Sequence, residues 1–61
     1  MNIAEALEKG YRAGNSGDLD TVKECVEQYP KLFEYFIEEE DLFDPRVFAW
    51  LKSHPSNQKC N

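Results

Sequence analysis

Few side chains in this sequence have the chemistry a catalytic or metal site needs, and they are far apart. His54 is the single histidine, and Cys25 and Cys60 are the two cysteines. A cysteine nucleophile needs a base within hydrogen-bond reach and a third group to orient that base. Neither cysteine has identifiable partners of that kind, and one histidine with two cysteines cannot fill a four-ligand zinc site. Gly10, Gly14 and Gly17 follow no strand and lack a phosphate-loop lysine, so they read as turn chemistry. The run Glu38-Glu39-Glu40-Asp41 lacks the alternating spacing and the glycine of a calcium-binding EF-hand loop. His54, in the last turn of a predicted helix, is expected to meet the free carbonyls there. The expectation is no catalytic, cofactor-binding or metal-binding residue, and no enzymatic activity.

Charge and aromatic content point instead to binding. Twelve Asp and Glu stand against seven Lys and Arg, a formal net charge of −5 over 61 residues. Clustered cations that could neutralise phosphates are lacking, so direct nucleic-acid binding is not expected. A basic protein surface is the complementary partner, and acidic charge speeds such an encounter. Phe33, Tyr35, Phe36, Phe43, Phe48 and Trp50 crowd into the second half of the chain. A domain this small is expected to leave some of those rings at its surface, where they serve as interface anchors. The candidate partner-binding residues are therefore Tyr35, Phe43 and Trp50, with Glu38, Glu39, Glu40 and Asp41 as a polar rim.

The elements that carry these residues follow from helix periodicity and its punctuation. Asn2 caps a first helix with Glu5 three residues on, and Ile3, Leu7 and Tyr11 recur at i, i+4, i+8, with Ala4 and Ala6 alongside, as its buried face. Glu5–Lys9 and Glu8–Arg12 are i,i+4 ion pairs on its outer side. Gly10 is unfavourable inside a helix by about 1 kcal/mol relative to Ala, unless it lets another element pack closely. This helix is predicted to end near Ala13, with Gly14 to Gly17 as a turn. Asp18 caps a second helix, Leu19 to Gln28, with Leu19, Val22, Cys25, Val26 and Tyr29 on one face. Pro30 stops it and opens a third, running to about Glu39, with Leu32, Phe33, Phe36 and Ile37 on one side. Phe43-Asp44-Pro45 opens the fourth: Asp44 caps, Pro45 takes the first helical position, and Phe43 staples onto Phe48. Val47, Phe48 and Leu51 form its apolar side, and it ends near Ser53. Val22-x-x-x-Val26-x-x-x-Pro30 is echoed 25 residues later by Val47-x-x-x-Leu51-x-x-x-Pro55.

The stretch from Ala13 to Glu27 resembles the middle of an ankyrin repeat, small-small-x-x-Gly-x-Leu-x-x-Val-x-x-Leu-Leu. Ala13, Gly14, Gly17, Leu19, Val22, Lys23, Val26 and Glu27 fall on that pattern, Cys25 stands where leucine is usual, and Gln28-Tyr29-Pro30 is similar to the way such helices end. Residues Glu5 to Lys9 replace the usual Thr-Pro-Leu-His opening, and no second repeat follows Pro30. The resemblance covers about a third of the chain. It implies a helical hairpin, either an N-terminal capping repeat or one that obeys the same packing rules independently.

The fold class expected is all-α: a small bundle of four short helices as two helix-turn-helix hairpins, the first ankyrin-like. Residues 1–55 form the domain and 56–61 a disordered polar tail. The chain opens on Met1 and reads as a complete small protein. It has no apolar run near the ~18 residues of a membrane span and no leader pattern, and its two thiols suit a reducing compartment, so it is expected to be cytoplasmic. The function expected is non-catalytic: an adaptor, or an inhibitor occluding a larger protein of basic surface, as phage and bacterial accessory proteins do. The alternative is a nucleic-acid mimic that blocks a DNA- or RNA-binding protein. A homodimer closing over the surplus aromatics is a further expectation.

Overall fold

A computed structural model describes residues 2–54. Within them the chain forms α1 (Ile3–Ser16), α2 (Leu19–Gln28), α3 (Leu32–Ile37), a 3₁₀ turn (Glu40–Leu42) and α4 (Pro45–Ser53), with no strand among the described residues. This is a small all-α bundle. The residues 56–61 expected as a tail, and Cys60 with them, lie outside the described residues.

The starts of α1, α2 and α4 are each set by a side-chain cap. The Asn2 side chain accepts a hydrogen bond from the Glu5 N–H at 2.9 Å. Asp18 accepts from the Thr21 N–H at 3.3 Å and from the Thr21 hydroxyl at 2.7 Å. Asp44 accepts from the Arg46 N–H at 2.9 Å, with Pro45 in the first turn, where its missing N–H is no loss. The Phe43 and Phe48 rings lie stacked at 6.4 Å, the staple geometry expected from their spacing.

The end of α1 differs from expectation. Rather than stopping near Ala13, the helix runs through Gly14 and Asn15 to Ser16 and turns only at Gly17, whose φ of 85° is left-handed. The Ser16 hydroxyl donates back to the Arg12 carbonyl at 3.0 Å, which satisfies it within the last turn of the helix. The Asp18 N–H then reaches the Ala13 carbonyl at 2.7 Å and the Gly17 N–H the Gly14 carbonyl at 3.3 Å, the paired bonds of a Schellman ending.

The buried face of α1 differs in part. Ala6 is buried as expected and Leu7 and Tyr11 are half-buried against the core, but Ile3 is 42% exposed and Ala4 is exposed, while Gly10, Ala13 and Gly14 are buried. The face is rotated toward small residues because rings from the second half of the chain press against it. A β-carbon on Gly10 would strike Cζ of Phe36, and one on Gly14 would strike Cδ1 and Cε1 of Phe43. Gly10 thus permits close packing, as its position in a helix suggested. Gly14 does the same and is not a turn residue.

Around that seam lies one core: Val22, Cys25 and Val26 from α2, Leu32, Phe33 and Phe36 from α3, Phe43, and Val47, Phe48 and Leu51 from α4. All four positions of the 25-residue echo, Val22, Val26, Val47 and Leu51, are therefore buried. α1 and α2 make the most extensive helix–helix contact, and α3 packs on α4. The third helix is shorter than predicted. It starts through 3₁₀-type bonds from Leu32 to Tyr29 and Phe33 to Pro30, and it ends at Ile37, ahead of the acidic run. Four negative charges on a helix C-terminus would oppose the dipole; the break takes Glu39, Glu40 and Asp41 beyond the helix and leaves Glu38 alone as its C-cap, which lessens that conflict.

Candidate functional site

The seven candidate partner-binding residues do not form one surface. Glu38, Glu39, Glu40 and Asp41 are all exposed, along the turn and 3₁₀ segment that link α3 to α4. Tyr35 is 45% exposed. Phe43 has to be withdrawn from the set: it is 7% exposed and sits at the middle of a ring cluster, 5.4 Å from Phe36 and 5.8 Å from Tyr11 by ring centroids. Its backbone is tied down as well, since the next residue, Asp44, donates its N–H to the Gly14 carbonyl at 2.8 Å. A ring so enclosed stabilises the fold and presents no more than a sliver of surface.

Trp50 is half-buried and faces another way from Tyr35. Its ring meets His54 edge-on at 5.0 Å, and the Lys23 ammonium stands 5.8 Å over it. His54 in turn lies 5.1 Å from Phe33. Phe33 and Tyr35 are two residues apart on α3 and so point about 200° apart around it, which separates Tyr35 from the Trp50 cluster. The His54 backbone N–H donates to the Leu51 carbonyl at 3.2 Å, while its imidazole packs among rings.

The surplus of exposed aromatics is correspondingly smaller than the composition implies. Phe33, Phe36, Phe43 and Phe48 are all buried, and Gly10 and Gly14 leave room beside α1 for two of them, Phe36 and Phe43. Among the described residues the large exposed hydrophobics are Ile3, Tyr35 and Leu42.

Two hollows border the acidic linker. One, of about 400 Å³, is floored by Phe43, Pro45, Phe48 and Ala49 and edged by Glu40, Asp41 and Lys52. Lys52 already places its ammonium 5.8 Å from the Phe48 ring centroid. The other, of about 310 Å³, lies between α1 and the 3₁₀ turn and is lined by Tyr11, Arg12, Asn15 and Leu42. The Asn15 side chain donates to the Leu42 carbonyl at 3.1 Å, which pins the turn against α1. Burial raises the Tyr11 hydroxyl above its ordinary pKa, and the charges of Glu39, Glu38 and the neighbouring Tyr35 add to the rise. Sequence reasoning missed Leu42 and Asn15. The available signal was Leu42 and Phe43 side by side between polar neighbours, since two adjacent apolar residues before a helix cap cannot both turn inward.

Cys25 is buried, and desolvation raises its thiol pKa, which disfavours the thiolate needed for attack. No group of three or more His, Cys, Asp or Glu among the described residues is placed to hold a metal ion. No helix among them is long and apolar enough to cross a membrane. Compared with known protein families the chain matches none, and curated proteins and solved structures yield no significant match.

Proposed function

We propose that the chain is a non-catalytic protein-binding module, cytoplasmic, whose acidic linker engages a larger protein of basic surface. The observation that carries this reading is the exposure of all four acids from Glu38 to Asp41, on a linker whose C-terminal end is held to α1 by the Leu42 carbonyl and the Asp44 N–H. A solvated helix end would need no such anchoring, and a rigid acidic ridge is what a positive surface can read. The reading of α1 and α2 as an ankyrin-type capping hairpin belongs to the same proposal, since such a unit presents one face and packs with the other. Occlusion of a partner's site is the mode we favour, because there is little room here for a substrate.

The test is capture from cognate cell extract by three immobilised proteins: the native chain, a variant with Glu38, Glu39 and Glu40 changed to Gln and Asp41 to Asn, and Trp50→Ala. The expected result is a partner held by the native chain and by Trp50→Ala and lost at least tenfold by the neutralised linker. A partner held equally by all three overturns the reading. A captured nucleic-acid-binding protein that free DNA competes away would assign the acids to phosphate mimicry instead.

A further inference from the structure

Leu42 is 44% exposed and borders the groove of about 310 Å³ that it shares with Tyr11, Arg12 and Asn15. The acidic run leads directly into this wall: the Glu39 carbonyl accepts the Leu42 N–H at 3.0 Å, and the charges of Glu39 and Glu38 act on the Tyr11 hydroxyl. The result is a groove with an exposed leucine on one wall and two carboxylates leading into that wall, and its geometry is set before any partner arrives. Asn15 holds the Leu42 carbonyl at 3.1 Å, and the Asp44 N–H holds Gly14 on the same helix at 2.8 Å. Little ordering is left to be done on binding.

We propose that this groove between α1 and the 3₁₀ turn receives one large apolar side chain from a basic segment of another protein. That segment's Lys or Arg residues pair with Glu38 and Glu39. Charge complementarity selects this occupant. A second copy of the chain, also at −5, would bring its own Glu38 and Glu39 against this acidic side across a two-fold axis. Arg12, at the groove, is paired with Glu8 at 3.1 Å on the exposed side of α1. The larger hollow over Phe48 already has the Lys52 ammonium at its floor. The inference rests on the basic-partner reading above and names the pocket and the residue class that enter it.

The test is selection of random twelve-residue display peptides against the full-length protein, with Leu42→Asp and Leu42→Ala as counter-screens. Leu42 is exposed, and circular dichroism checks that both variants keep their helix content. The expected peptides are rich in Lys and Arg around a single Leu, Phe or Trp, and bind Leu42→Asp at least tenfold more weakly than the native chain. Their amide shifts in ¹⁵N spectra centre on Tyr11, Asn15, Tyr35 and Leu42. Basic peptides that bind both Leu42 variants as well as the native chain overturn the groove and leave the basic-partner reading standing. Peptides without basic bias, or no enrichment at all, overturn both. Concentration-dependent shifts without peptide, abolished in Leu42→Asp, would assign the groove to a second copy and overturn the proposal.

Discussion

A β-carbon on Gly14 has nowhere to go, because the atoms it meets belong to the flat, buried ring of Phe43 rather than to a flexible tip. Alanine is the better helix former by about 1 kcal/mol, but overpacking a core commonly destabilises by about 1–3 kcal/mol. Gly14→Ala is therefore expected to lower stability by about 2 kcal/mol in urea unfolding followed by circular dichroism, with partial recovery when Phe43→Leu is added. A neutral Gly14→Ala would refute the packing assigned to this seam. Ionisation offers a second test. The Asp44 carboxyl is held below its ordinary value mainly by the Arg46 N–H, and Asp18 below its own by the Thr21 hydroxyl and N–H. A carboxylate depressed in the folded state contributes stability above the unfolded value, near 3.8, and loses it as pH falls through the folded one. Unfolding midpoints should thus fall with acid below about pH 4, and Asp44→Asn, which still caps, should shallow that fall. The opposite sign applies to Tyr11. Its raised pKa means that its contribution is intact below 10.0 and lost as pH rises through the folded value. Absorbance at the phenolate band should show Glu38→Gln with Glu39→Gln moving this titration only part of the way back, because burial is the larger cause.

At the scale of elements, the three capped starts were legible, while the start of α3, at Leu32 rather than Pro30, and two of the ends were not. Asn2, Asp18 and Asp44 act within three residues of themselves, so their capping role is visible in one dimension. The end of α1 was misjudged because Gly14 carries two opposite meanings, turn former and packing notch. Only the arrival of Phe43, 29 residues later, decides between them. The end of α3 was misjudged because periodicity extends to Glu39 while the helix-end dipole does not tolerate what lies there. Glu38→Lys is expected to reverse that conflict, raising stability by about 0.3–1 kcal/mol at low salt in thermal unfolding, while weakening partner capture. A variant that is both less stable and unaffected in capture would remove the acidic run from either role.

For the whole molecule, the question is whether one chain buries enough. A 61-residue chain is marginal on size alone, yet all four phenylalanines and the aliphatic residues Val22, Val26, Leu32, Val47 and Leu51 are inside. The described chain has a Cα radius of gyration of 10.5 Å, near the ~10 Å of a folded chain of that length. Light scattering should accordingly give the 7.1 kDa of a single chain across a hundredfold dilution. A stable dimer would instead return Tyr35 and Leu42 to a self-association seam. Cys25, 3% exposed, should resist a thiol reagent in a Cys60→Ser background until the protein is unfolded.

The sequence by itself determined the helices, their caps, the acidic charge and most of the buried set, because these depend on local backbone chemistry and on periodicity along one helix. It singled out the acidic run and Tyr35 as exposed, since charge and a polar register are local as well. The tertiary structure alone decided that Phe43 is core, that Trp50 belongs with Lys23 and His54 and away from Tyr35, and that Leu42 meets Tyr11 beside α1. Each of these depends on which ring reaches the Gly10–Gly14 face first. That face can hold two rings, the second half of the chain has six, and no spacing rule within a single helix ranks them.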